Sequence, residues 1–200
     1  MVERVRYCAT ILLPAALLAG TLFIFSAEFG AVLAQLFNWL IPLLYDRVDH
    51  FHVGLVLQNS EWVYLLKANN STPILIGLTL LPANSGLSSS TLLAHSFQHL
   101  LFFIPVVVGG ACYHRCSPMR LWLLSLLLLL LLEVIDIPFV LIGSIEDLLL
   151  FNVAPIAHAE SLWIKWLAFL SNGGRIGLAM IAAWFVVIAS QRNLVYKWTV

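Results

Sequence analysis

Leu121–Ile142, LWLLSLLLLLLLEVIDIPFVLI, decides how the rest of the chain is read. The run from Leu121 to Leu132 makes a helix of roughly 18 Å, short of a hydrocarbon core of about 30 Å. Val134, Ile135, Ile137 and Phe139–Ile142 are therefore needed to complete a crossing. Glu133 and Asp136 then fall within it or just below its outer boundary, on one helical face because they are three residues apart. A carboxylate at bilayer depth costs about 2.5–3.5 kcal/mol on insertion scales, so both acids call for partners on other helices.

The composition agrees with a membrane setting. Of 200 residues, 62% are hydrophobic and 10% charged, with a mean hydropathy of +0.97, whereas soluble domains carry about 25% charged residues. Ten basic and ten acidic residues cancel, and the absence of a basic patch excludes nucleic acid as a partner. Cys8, Cys112 and Cys116 are odd in number and fall near the expected inner face, which argues against a disulfide scaffold. The start, Met1 to Arg6 and then an apolar run, reads as an uncleaved anchor.

The expected fold class is an all-α integral membrane bundle of four transmembrane helices, with a small outer-face β-hairpin and an interfacial amphipathic helix. The spans are expected at about 8–26, 91–111, 121–142 and 163–190. Between the first two, Phe29, Val32, Leu33, Leu36, Phe37, Leu40 and Ile41 recur at helical spacing and stop at Pro42, which predicts a helix in the outer interface. Residues 45–90 form the expected outer-face segment. Within it 51–57 and 62–66 are β-rich runs separated by Gln58–Glu61, a hairpin pattern, 74–81 reads as a third strand, and 82–90 as a turn-rich linker. Arg4, Arg6, Arg115, Arg120, Arg192 and Lys197 fall inside and Arg47, Lys67 and Lys165 outside, so both termini are cytoplasmic and the expected location is a bacterial inner membrane.

Unusual polar groups then gather by depth. His95 and His99 lie one turn apart in the second span, Glu133 and Asp136 in the third, and Arg175 in the fourth beside Gly173-Gly174. Intramembrane ionisable groups face the bundle interior and pair, so a cluster of His95, His99, Glu133, Asp136 and Arg175 is expected, open to the outer face. A structural ion pair fixing helix register is the plain reading of the charges, and close helix approach that of the glycines. His95 and His99 have the i, i+4 spacing of metal ligands, but histidines flanking a span also serve as interface residues, and neither metal nor cofactor is expected. Cys112 and Cys116, around Tyr113-His114-Arg115, read as reduced surface thiols, and Ser96 points to a different helix face from His95 and His99. No residue is assigned as catalytic. The same groups leave open an intramembrane hydrolase or transpeptidase and a proton- or ion-translocating subunit.

The order of parts, from Val48 to Ser190, is similar to the membrane core of the exosortase and archaeosortase transpeptidases, and Ser171-Asn172-Gly173-Gly174-Arg175-Ile176 resembles that family's Asn-x-x-Arg-Ile segment. The family carries a cysteine at the outer start of the helix after the hairpin. Here that start reads Leu92-Leu93-Ala94-His95-Ser96-Phe97-Gln98-His99, without a thiol. The resemblance therefore implies a non-catalytic accessory, similar to the small membrane proteins encoded beside exosortases. Its implied partners are the lipid bilayer and a membrane transpeptidase of exosortase type or its substrates.

Overall fold

A computed structural model of the chain describes residues 2–114, 116–151 and 153–191, with side chains from Cys8 onward. Arg115, Asn152, Arg192 and Lys197, and the side chains of Arg4 and Arg6, lie outside the described residues. The helices are α1 (Val2–Ile24), α2 (Ser26–Leu44), α3 (Ala94–His114), α4 (Pro118–Leu150), α5 (Pro155–Glu160), α6 (Leu162–Phe169) and α7 (Arg175–Ala189). The strands are β1 (His50–Gln58), β2 (Glu61–Asn69), β3 (Ile74–Ile76), β4 (Thr79–Leu81) and β5 (Gly86–Leu92). The chain divides into two compact units. One, the helical unit, takes Met1–Phe25, Phe97–Leu132 and Arg175–Val200; the other, the sheet-bearing unit, takes Ser26–Ser96 and Glu133–Gly174.

The sheet-bearing unit is built on an antiparallel sheet of order β1-β2-β5. Asn59 and Ser60 have φ of 49° and 66°, the left-handed pair that a two-residue hairpin turn uses to match strand twist. They set the register from Gln58↔Glu61 to His50↔Asn69. On the other side of β2, β5 pairs from Val63↔Leu92 to Asn69↔Gly86. Asn70, buried, closes the intervening loop by donating to the Thr72 and Pro82 carbonyls and accepting from the Ser85 N–H at 2.9 Å.

Helix α2 packs on this sheet through Gly30, Leu33, Ala34, Phe37 and Ile41, a stripe at helical spacing. Phe37 meets Tyr64 edge-on at 5.4 Å, and a Cβ on Gly30 would stand 3.0 Å from Leu55 and 3.1 Å from Leu93. Asn38 accepts from the Val53 N–H at 2.6 Å and donates to the Val53 carbonyl at 2.8 Å. One amide thus substitutes for a neighbouring strand at the open edge of β1, where unpaired backbone would otherwise invite association. The second half of α4 packs here too. Ser89 donates to the Leu141 carbonyl at 2.9 Å, Trp166 donates to the Ile135 carbonyl at 2.9 Å, and Gly143 lies so close to α6 that a Cβ would stand 2.8 Å from the Trp163 carbonyl oxygen.

The helical unit combines α1, α3 from Phe97, α4 up to Leu132, and α7. Its close contact is between Gly110 and Val187, where a Cβ on the glycine would stand 2.7 Å from Val187 Cγ2. Leu123, Leu126, Leu127, Leu130 and Leu131 are all exposed, and Leu13 and Phe185 present further apolar surface on α1 and α7.

Among the described residues, four helices are long and apolar enough to cross a membrane: Ser26–Leu44, Ala94–His114, Pro118–Leu150 and Leu162–Ala189. This set includes α2, expected as an interfacial helix, whereas the described apolar part of α1, Cys8–Ile24, is a shorter run. Several boundaries differ from expectation for identifiable reasons. Residues 91 and 92 end a strand rather than begin a helix, because Ser89 and Thr91 alternate inward and bond internally. The serine-rich stretch expected as linker is thus largely β5. Residues 74–81 are a second hairpin, not one strand, since Gly77 takes φ 58° at its turn. Helix α4 runs to Leu150, eight residues beyond Ile142, carried by Ile145, Leu149 and Leu150 on a buried stripe. The last expected span breaks at Leu170–Gly174, where Asn172 leaves helical geometry and Gly173 has φ 96°.

Candidate functional site

The five residues expected to cluster fall in different units. His95, Glu133 and Asp136 belong to the sheet-bearing unit, His99 and Arg175 to the helical one. His99, Glu133, Asp136 and Arg175 are buried, Asp136 completely, and His95 is half-buried. His95 Nδ1 is 2.9 Å from Thr91 Oγ1, a side-chain link across the junction between β5 and α3. Glu133 and Asp136 lie one turn apart on α4, and Arg175 is the first residue of α7 after the break at Gly173.

Within the sheet-bearing unit, Glu133 belongs to a buried polar group with Tyr64 and Ser96, both fully buried. Burial pushes the Tyr64 phenol above its ordinary range; the Ser96 hydroxyl opposes this and the Glu133 charge adds to it. Tyr64 therefore stays neutral, within electrostatic reach of the buried Glu133. The group also explains Ser96, whose helix face points away from the histidines and toward β2.

A second constellation lies at the far end of α4. Glu146, 2% exposed, takes the Arg47 guanidinium on Oε1 at 3.0 Å and the Tyr45 hydroxyl on Oε2 at 2.5 Å. Burial and the hydrogen bond to Glu146 push the Tyr45 phenol far above its usual range, so it too stays neutral. The Tyr45 ring packs edge-on to Phe51 at 6.2 Å and to Trp163 at 6.1 Å, and fixes the turn between α2 and β1 against α6. One residue on, Asp147 Oδ1 meets His158 Nε2 at 2.7 Å, and the imidazole packs edge-on to Phe151 at 5.6 Å. Arg47 belongs to the expected outer-face segment 45–90, while Glu146, Asp147 and His158 lie past Ile142, between the third and fourth expected spans. The signal that finds Glu146 is the apolar period continuing through Ile142, Ile145 and Leu149, which keeps residue 146 on the buried stripe.

The glycines near Arg175 act locally. A Cβ on Gly173 would meet nothing, so its role is the left-handed φ; a Cβ on Gly174 would strike the Phe169 carbonyl oxygen at 2.6 Å. Cys116, expected as a surface thiol, is fully buried and donates to the Val187 carbonyl at 3.4 Å, and burial pushes its thiol pKa up. Among the described residues no group of three His, Cys, Asp or Glu side chains is placed to hold a metal ion. Searches of protein-family models, curated proteins and solved structures return no match to this chain.

Proposed function

We propose that this is a multi-pass protein of the bacterial inner membrane that serves as a non-catalytic accessory of an exosortase-type envelope sorting system, with both termini cytoplasmic and the sheet on the outer side. The membrane part of the reading is supported by the exposed leucines of α4, a surface that water does not tolerate as a contiguous patch. The non-catalytic part rests on one observation: the start of α3, where the resemblance calls for a thiol, carries the Thr91–His95 link instead. The cysteine at the other end, Cys116, is buried with a raised thiol pKa, the opposite of an activated nucleophile. Detergent co-purification from the native membrane is expected to recover a membrane transpeptidase, and deletion of the protein is expected to impair processing of that enzyme's substrates. Normal processing in the deletion strain overturns the proposal.

A second reading, a hydrolase or transferase working from His95, His99, Glu133, Asp136 and Arg175, is favoured by the burial of Glu133 beside Tyr64 and Ser96. Single substitutions of the five decide it. Full function in all five, at normal expression, removes it.

A further inference from the structure

We propose that the cleft between the β3–β4 hairpin and the α4–α5 corner binds an anionic phospholipid, with the phosphate on Arg47 and an acyl chain along the hairpin. The cleft has a volume of about 320 Å³ and is lined by Arg47, Ile74, Ile76, Leu150, Ala154 and Ala157 among others. That size falls within the roughly 300–1,000 Å³ of small-molecule sites, which are mostly apolar with a few placed polar groups. Here the placed group is a single guanidinium.

Arg47 is positioned rather than loose. Glu146 holds one of its nitrogens at 3.0 Å and is itself fixed by Tyr45, so both carboxylate oxygens are engaged. The Arg47 side chain remains 49% exposed, and one salt bridge leaves further N–H donors of its planar fork for a second anion, the geometry suited to phosphate. The hairpin supplies the apolar wall and also asks for an apolar neighbour: Leu75 is 70% and Leu78 102% exposed. Gly77, at φ 58°, lies close enough to the Val153 carbonyl that a Cβ would stand 2.9 Å from it, which seats the hairpin over the cleft. A guanidinium beside exposed leucines fits a molecule with an anionic head and an apolar tail better than a free phosphate.

The inference rests on the membrane reading above but not on the accessory role. Full-length protein in dodecyl maltoside micelles, mixed with phosphatidylglycerol, phosphatidylcholine or inorganic phosphate and weighed by native mass spectrometry, tests it. Phosphatidylglycerol is expected to leave one retained adduct, and phosphatidylcholine, whose phosphate is the same but whose choline cation cancels the headgroup charge and would stand beside the Arg47 guanidinium, to bind about tenfold more weakly. Arg47→Gln is expected to abolish that preference, and Ala157→Trp, a change at an exposed lining position, to remove the adduct. Should Arg47→Gln fold poorly, Arg47→Lys keeps a charge for Glu146 while losing the fork, and is expected to give an intermediate preference. Equal retention of both lipids by the unaltered protein, a persistent adduct in Ala157→Trp, or displacement of phosphatidylglycerol by inorganic phosphate overturns the proposal. Failure of the membrane reading shows separately, as protein left in the supernatant when cells are broken and centrifuged without detergent.

Discussion

The two halves of α4 use apolar residues in opposite ways. From Leu121 to Leu132 the helix belongs to the helical unit, and five of its leucines are exposed. From Glu133 to Leu150 it belongs to the sheet-bearing unit, where Ile137, Leu141, Ile142 and Ile145 are fully buried and Glu133, Asp136 and Glu146 are buried with them. Hydropathy averages over both halves and reports one long apolar helix. Burial separates a half whose leucines face outward from a half that packs against protein and admits carboxylates. Polar groups in the second half also decide geometry: Ser89 on the Leu141 carbonyl, Trp166 on the Ile135 carbonyl, and Tyr45 and Arg47 on Glu146.

The sharpest way to break this contrast is to remove the carboxylate at the end of the buried half. Glu146→Ala leaves the Tyr45 hydroxyl buried without its acceptor, which costs about 1–3 kcal/mol, and opens space in a packed interior, which adds to the loss. A destabilisation of about 3 kcal/mol in all is expected. Thermal unfolding in detergent micelles, followed by circular dichroism, reads it as the largest fall in midpoint of the variants considered. An equally large fall for Leu127→Ala, on the exposed half, would erase the distinction between the halves.

Asn38 tests the same idea at the sheet edge. Asn38→Ala removes two hydrogen bonds to Val53 and leaves that backbone pair without partners at the edge of β1, where Val53 is 2% exposed. A loss of about 2 kcal/mol is expected from the two bonds, with increased self-association on size-exclusion chromatography because the freed edge can pair with another chain. A stability loss without association would mean that α2 still covers the edge when the amide is gone.

Three of the long apolar helices, those within 94–114, 118–150 and 162–189, and the first hairpin were legible in the sequence because each writes a long, regular pattern, an apolar run or alternating β-rich residues around Asn59-Ser60. Helix α2 was not, because its apolar residues also fit an interfacial stripe, and the first expected span is a shorter run. Strand β5 was not legible. Ser88-Ser89-Ser90-Thr91 has the composition of a linker, and its hydroxyls become strand-compatible only through tertiary acceptors such as the Leu141 carbonyl. The break at Gly173 was hidden for a different reason, since a glycine chosen for close approach and one chosen for positive φ look the same in a sequence. At the candidate site, His99, Glu133, Asp136 and Arg175 are buried, while His95 is half-buried. The Arg47–Glu146–Tyr45 group escaped notice because Glu146, on an apolar helix, lies about a hundred residues from Tyr45 and Arg47, which sit among loop-like neighbours.

The helical unit offers the smallest and cleanest comparison, since two adjacent glycines on α3 differ only in direction. A Cβ on Gly110 would stand 2.7 Å from Val187 Cγ2 and 2.9 Å from Cγ1, while one on Gly109 would meet nothing within 4 Å. Valine is stiff at χ1, so it cannot swing aside, and Gly110→Ala must push α3 and α7 apart locally. Overpacking of this kind costs about 1–2 kcal/mol, reduced by the better helix propensity of alanine, about 1 kcal/mol. Gly109→Ala gains the propensity without the clash and is expected to raise the unfolding midpoint. Opposite signs at neighbouring positions would show that this unit is held by close helix approach, as the sheet-bearing unit is held by polar bonds. A rise for both would mean that α7 yields, and that the contact at Val187 is incidental to the packing of the unit.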